Sequence, residues 1–278
     1  MRFFANKRAV ITGAGSGIGR ALAQSLNSKG CHLILSDIDR AALETVCADL
    51  KESGPQQDLT LKSFVANVAD YDQMKAFAFF VESEFRNIDL LINNAGMGLG
   101  AFFQDCKLND MRELFDTNFW GIVYGCKVFL PLLERADGGH IVNISSILGL
   151  LSGPRVSAYC SSKFAVRGFS DSLRHDFRLC GNRVKVSCAF PSGIKTNILA
   201  NSKIVVPIGT DSSAEFERQR VEHWFWTQAD EAAQDILTGV SKGKTRIHVG
   251  KGAWFLDLIS RLFPVSYTRF LPKSIFET

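Results

Sequence analysis

The stretch "RAVITGAGSGIG", residues 8–19, decides the fold. It joins a short apolar, β-branched run to a glycine-rich turn, and the turn opens onto helical periodicity. Glycines at that place allow a tight turn and a close approach of the backbone to a phosphate. The helix that follows offers free N–H groups and a partial positive charge at its N-terminus. Such a turn is weak on its own, because many glycine loops are only turns. Its position after the first strand gives it meaning.

Outward from this unit the same alternation repeats. Residues 8–14, 31–36, 61–67, 89–95, 140–145, 184–190 and 245–250 read as strands. Their apolar character without strict alternation predicts burial on both faces, as in a parallel sheet. Helical segments are predicted near 17–29, 39–52, 70–86, 107–135, 157–180 and 228–242. Gly30 stops the first helix, and Asp39 and Asp70 can cap the next two. The expected fold is one α/β domain over residues 1–250, a doubly wound parallel sheet of about seven strands with helices on both faces. Residues 192–227 interrupt the rhythm and read as a substrate lid. The tail, 251–278, is amphipathic and aromatic. It suits packing on the domain or on a partner subunit, with shallow membrane contact as the alternative.

Composition narrows the class. Over 278 residues the formal charge is only +4, 46% of residues are hydrophobic and 22% are charged. No run of five basic residues occurs, so nucleic-acid binding gains no support. The seven cysteines include no CxxC pair, and no histidines stand at metal-ligand spacing. Reduced thiols, a cytoplasmic setting and no metal are expected. The first fifteen residues lack the features of a signal peptide, and no stretch is long and apolar enough to predict a transmembrane helix.

Asp37 falls at the end of the second predicted strand, 18 residues after Gly19. A carboxylate there can accept both hydroxyls of an adenosine ribose and repels a 2′-phosphate. Ser16 and Ile38, where a base could hold that phosphate, are not basic. NAD(H) is therefore expected over NADP(H), with Arg40 as the nearby cation arguing the other way. The other reading of Asp37 is a turn or N-cap residue, a part that Asp39 could serve equally well. In "SAYCSSKFAV", residues 157–166, Tyr159 and Lys163 lie one helical turn apart on one face. Tyrosine ionises near pH 10, too high for a base at neutral pH, and a neighbouring ammonium favours the phenolate. Taken alone, such a pair is more often packing than chemistry. His223, Trp224 and Trp226 fall in the lid and suit packing or a greasy pocket wall.

The glycine loop at 12–19, "NNAG" at 93–96 and the Tyr159–Lys163 pair together resemble the short-chain dehydrogenase/reductase family, from about residue 6 to about 250. The resemblance implies a Rossmann-type domain, a nicotinamide cofactor and a homodimer or homotetramer. It selects Ser146, 13 residues before the tyrosine, as the catalytic serine, and Asn118 as the asparagine that perturbs its helix and supports a proton relay. It implies that Gly13, Ser16, Ile18, Gly19 and Asp37, then Asn67, Val68, Asn94, Ala95 and Gly96, contact the cofactor. It adds Pro191, Ile194 and Thr196, with Ser192 standing where glycine is commonest. Tyr159 and Lys163 complete that set. Asn67 replaces the family's usual aspartate, keeping an amide and losing charge.

The expected function is NAD(H)-dependent interconversion of a secondary alcohol and a ketone or aldehyde. Tyr159 would be the general acid/base, Lys163 its electrostatic partner and ribose ligand, and Ser146 the group that orients the substrate oxygen. An apolar pocket lined by the lid and by "MGLGAFF", residues 97–103, would take a lipophilic substrate. A catalytically weak dinucleotide sensor and a membrane-associated lipid reductase using NADP(H) stand as alternatives.

Overall fold

A residue buried on both faces of a sheet must be apolar whichever way it points, and this governs the centre of the molecule. The computed structural model describes residues 2–53, 59–196, 202–206, 213, 215 and 225–270. Its strands are β1 (Arg8–Thr12), β2 (His32–Asp37), β3 (Leu61–Val65), β4 (Leu90–Asn93), β5 (His140–Ile144), β6 (Lys185–Pro191) and β7 (Arg246–Val249). They form one seven-stranded sheet in the order β3-β2-β1-β4-β5-β6-β7, every pairing parallel. The alternation is hidden in the sequence but present in space. Ala9 and Ile11 of β1 enter one core, and Val10 enters the other.

The helices are α1 (Gly17–Ser28), α2 (Arg40–Ser53), α3 (Tyr71–Glu84), α4 (Leu108–Phe115), α5 (Gly121–Glu134), α6 (Ser157–Leu179), α7 (Ala229–Ser241) and α8 (Ala253–Leu262). Leu22, Leu43 and Ile236 bring α1, α2 and α7 to one face of the sheet. Phe77, Phe129 and Val166 bring α3, α5 and α6 to the other. The helix caps follow the local chemistry. Asp39 accepts the Ala42 N–H at 3.1 Å, and Asp70 accepts those of Asp72 and Gln73 at 2.9 and 3.1 Å. Gly30, at φ +76°, ends α1 in a left-handed turn.

The helix expected over 107–135 is present as one helical run with a change of winding inside it. Residues Asp116–Trp120 form one π-turn between α4 and α5. The structure also adds two short parallel pairings that lacked strand signals. Leu99–Gly100 pairs with Lys203–Ile204, and Ile194–Lys195 pairs with Thr227–Gln228. Both lie above the C-terminal ends of the main strands. They tie described parts of the predicted lid to the domain.

His140, at the start of β5, is 6% exposed. Its Nε2 lies 2.7 Å from Ser187 Oγ, which donates to the Lys244 carbonyl at 2.6 Å. The serine proton is thus committed, so Nε2 is the donor of a neutral imidazole. Burial, followed by the nearby Lys185 and Lys7, pushes the His140 pKa down from 6.5 to about 4. The unfolded chain then binds a proton that the folded one refuses, so stability is lost as pH falls through this window. We expect roughly 2–3 kcal/mol to disappear between pH 6.5 and 4, and His140→Gln to flatten that slope. Denaturant melts across this range check it. An unchanged slope in the variant would assign the acid sensitivity elsewhere.

Candidate active site

The strand order reverses between β1 and β4, and this is where an open α/β sheet leaves a crevice at its carboxyl edge. A cleft of about 1300 Å³ runs from that point across the ends of β2, β5 and β6. The turn after β1 is built for close backbone approach. Gly13 has φ +64°, and a Cβ on it would lie 2.7 Å from the Ala95 Cα in the turn after β4. A Cβ on Gly19 would run into the Gly13 carbonyl. Gly13, Ser16 and Ile18 line the cleft, and Gly19 packs beneath it. Ser16 caps α1 without a side-chain hydrogen bond, leaving the first-turn amides facing the loop.

Asp37, Asn67 and Val68 line the same cleft. The Asp37 carboxylate accepts the Gly15 N–H at 2.8 Å and the Asp39 N–H at 3.0 Å. It therefore braces the glycine loop while keeping further acceptor capacity. Arg40 lies 3.8 Å from Glu44 one turn on, and both side chains are largely exposed. Asn67 Oδ1 accepts the Ala69 N–H at 3.0 Å, so this side chain also closes a local turn.

Asn94, Ala95 and Gly96 form the wall between the two halves. Thr12 Oγ1 accepts the N–H groups of Asn94 and Ala95 at 3.1 and 3.2 Å, and Asn94 Nδ2 donates to the Thr12 and Gly13 carbonyls at 3.1 and 2.9 Å. This clamp fixes the width of the crevice. Thr12 opens the glycine motif read at 12–19, and its clamping role across to Asn94 carried no sequence signal of its own.

At the other end Ser146, Tyr159 and Lys163 line the cleft together. Ser146 follows β5, and its Oγ accepts the Leu148 N–H at 3.1 Å. Tyr159 stands in the first turn of α6. Its pKa is governed by burial, which pushes it up from 10 to about 12, while a hydrogen bond with Ser146 pulls it down. Lys163 Nζ lies 5.7 Å from the Tyr159 ring centroid and donates to the Ile144 carbonyl at 3.1 Å. Lys163 is 4% exposed, and burial lowers its own pKa from 10.5 to about 8. The ammonium expected to depress the tyrosine is itself weakened by the same desolvation. Ser145 beside it is structural, donating to the Lys163 carbonyl at 2.8 Å.

Asn118 lies behind the wall and is fully buried in the π-turn. Its Oδ1 accepts the Met97 N–H at 2.8 Å, and Nδ2 donates to the Met97 carbonyl at 3.0 Å and to Ser162 Oγ at 3.2 Å. The side chain therefore clamps the strand-end loop to α6. A Cβ on Gly96 would lie 3.1 Å from Asn118 Oδ1 and 3.5 Å from Lys163 Nζ, which brings these three residues together.

Pro191, Ile194 and Thr196 complete the rim. The unusual Ser192 does not disturb the turn. Gly193, at φ +56°, takes the left-handed step, and Ser192 is buried with its N–H on the Val249 carbonyl at 3.0 Å. Met97 and Leu99 line the cleft, as do Ile204, Phe225 and Trp226 of the predicted lid, while His223 and Trp224 lie outside the described residues. Phe255, Leu256 and Phe270 also line it, so the C-terminal segment forms part of the cleft wall. The amphipathic pattern of the tail carried no sign of a place in the cleft.

A family model described as short chain dehydrogenase matches residues 7–204. The Mycobacterium tuberculosis protein SadH, whose name describes an oxidoreductase, is 38% identical over 276 residues, spanning 99% of this chain and 97% of that protein. Human epidermal retinol dehydrogenase 2 is 36% identical over 196 residues, 68% of this chain and 60% of its own. Among solved structures, a short chain dehydrogenase/reductase from Burkholderia phymatum in complex with NAD superimposes with a TM-score of 0.85 at 30% identity, covering 94% of this chain and 95% of that one. The glycine turn, the switch-point crevice and the matched model agree, and the chain belongs to the short-chain dehydrogenase/reductase family of oxidoreductases.

Proposed function

We propose that the chain is an NAD(H)-dependent oxidoreductase that interconverts a secondary alcohol and a ketone or aldehyde of lipophilic character. The observation that carries this reading is the meeting of Ser146, Tyr159 and Lys163 on one wall of a cleft that also holds a glycine cradle and Asp37. The cradle suits a dinucleotide, because Gly13 and Gly19 hold the turn tight against Ala95 and the loop's own backbone, where no side chain fits. The first-turn amides of α1 suit a pyrophosphate, and Asp37 suits a ribose diol. A bound nicotinamide supplies the hydride acceptor or donor.

The residues handle the proton. A substrate oxygen between Ser146 and Tyr159 is oriented by the serine hydroxyl and exchanges its proton with the phenol. With burial pushing its pKa up to about 12, Tyr159 carries its proton at neutral pH and can serve as the acid in carbonyl reduction. In the oxidative direction the proton must leave through a neighbour. Lys163, with a pKa near 8, is neutral often enough in mild base to receive it. Met97, Leu99 and Leu151 offer the rest of the substrate an apolar wall. Trp120 and Phe164, 44% and 40% exposed, support a homodimer or homotetramer through the α4–α6 face.

The test is turnover of a panel of secondary alcohols and ketones with each nicotinamide cofactor, followed by the absorbance of the reduced form. No rate with any of them would favour a dinucleotide sensor. In the same assay Asp37→Ala should cut the kcat/KM preference for NAD(H) over NADP(H) by about tenfold or more, from lost ribose bonding and relieved repulsion of the 2′-phosphate. An equal loss with both cofactors would reduce Asp37 to a brace of the glycine loop.

A further inference from the structure

Among the described residues, seven of the seventeen large apolar side chains that stand exposed fall within residues 254–270, and five of the seven take no part in the cleft. On α8, Trp254, Phe255, Leu258 and Leu262 are 61, 51, 41 and 63% exposed. At 100° per residue they sweep one arc about 100° wide. Ala253, Asp257 and Ile259 occupy the other side and are buried. The exposed charges of residues 251–270 are all positive: Lys251, Arg261 and Arg269. The one acid of that segment, Asp257, is buried among cations.

An apolar arc edged by positive charge does not suit every occupant equally. A second copy on a two-fold axis would set the same patch against itself and bring its cations onto their own kind. A bilayer with anionic headgroups accepts the aromatic and aliphatic groups into its interface and the cations at its surface. We propose that α8 is an in-plane docking surface for an anionic lipid bilayer. Among the described residues no helix is long and apolar enough to cross a membrane, so the contact is with one leaflet. Phe255, Leu256 and Phe270 line the cleft, so docking seats the cleft wall on lipid. A lipophilic substrate then passes from bilayer to cleft without crossing water.

The docking is read by flotation and does not depend on the reaction assigned above. The full chain is floated with vesicles of phosphatidylcholine and with vesicles carrying phosphatidylglycerol as well. We expect flotation with the anionic vesicles, weakened at high salt. The triple variant Trp254→Ser, Leu258→Ser, Leu262→Ser should lose at least tenfold in partitioning while keeping turnover of a short, water-soluble ketone. None of the three side chains lines the cleft. Should the triple variant fail to fold, Trp254→Ser alone and Arg269→Glu alone should each weaken flotation several-fold. A chain that stays with the soluble fraction under both lipids overturns the proposal, as does flotation unchanged by the substitutions. Light scattering covers the remaining occupant. A self-association that the triple variant abolishes, with no vesicle binding, assigns the face to a second copy.

Discussion

Tyr159→Phe is expected to lower turnover by a factor of about 10³, within the range that a positioned acid or base contributes. The reduced carbonyl oxygen gains an electron pair and must take a proton from a group already beside it. The phenol is that group, and its high pKa keeps it charged with the proton throughout the neutral range. Phenylalanine keeps the ring, its packing and its place over Lys163, and removes only the hydroxyl. Ser146 can still hydrogen-bond the substrate oxygen, which leaves a residual rate instead of none. Dinucleotide binding and melting temperature should change little, because one hydrogen bond is worth about 1 kcal/mol net. Initial rates, cofactor titration and a thermal melt of the variant separate these effects. Turnover within a few-fold of the parent would remove Tyr159 from the proton path and leave Ser146 or Lys163 to be tested in its place.

The pKa pattern sharpens what the sequence could say about this pair. Spacing places Tyr159 and Lys163 on one face of a helix, and elementary electrostatics then predicts a depressed tyrosine. Burial is absent from that argument. In the structure both groups are enclosed by the walls of the cleft, and desolvation works against the charged form of each. The phenol therefore rises and the ammonium falls. The two values separate, to about 12 and about 8, so the phenol holds its proton firmly at a pH where part of the lysine has already lost its own.

Legibility elsewhere followed the range of the interaction. Strands β1, β2, β4, β5 and β6 were readable because a sheet covered on both faces demands uninterrupted apolar runs, and caps such as Asp39 and Asp70 act within three residues. The edge strand β3 was harder. Lys62 and Ser63 are exposed there, and the predicted span 61–67 ran two residues past the strand's end at Val65. The π-turn at Asp116–Trp120 has no compositional mark, because a single i to i+5 closure selects no residue type. Asn118 was singled out by resemblance, and its clamp on Met97 depends on a loop 21 residues away. The Thr12–Asn94 clamp spans 82 residues. Contacts of that reach leave no periodicity to read.

The C-terminal segment is the clearest case. Its amphipathic pattern showed that one face must be covered and said nothing about what covers it. Ile259 and Tyr267 cluster with Leu151, from the turn that follows Ser146. The Tyr267 hydroxyl accepts the Ser152 N–H at 2.9 Å. The loop after Ser146 and the tail are thus one packed unit, and the tail bears on Ser146 through the loop it supports. The docking face on the outer side of α8 depends on the same unit being held in place.

What holds it is charge as well as packing, and Asp257→Ala should show how much. Asp257 is 4% exposed in the middle of α8. Its carboxylate meets His248 Nε2 at 2.8 Å, Arg261 Nη2 at 2.9 Å and Arg246 Nη1 at 3.9 Å. Arg246 reaches on to Asp171 of α6 at 3.2 Å. Surface pairs are worth little, but the two half-buried bases of β7 cannot simply turn to water once their buried anion is gone. Removing one partner of a buried pair costs about 3–5 kcal/mol, which in a chain of this size lowers the melting temperature by on the order of 10 °C. If α8 releases before the rest, the same loss is read as hydrogen exchange across residues 253–262. Phe255 and Leu256 then lose their places in the cleft, so KM for apolar substrates should rise more than kcat falls. Asp257→Asn keeps the volume and one acceptor oxygen and should lie between variant and parent. A melt within a degree of the parent, with α8 still protected, would mean that packing through Ile259 and Tyr267 holds the tail unaided.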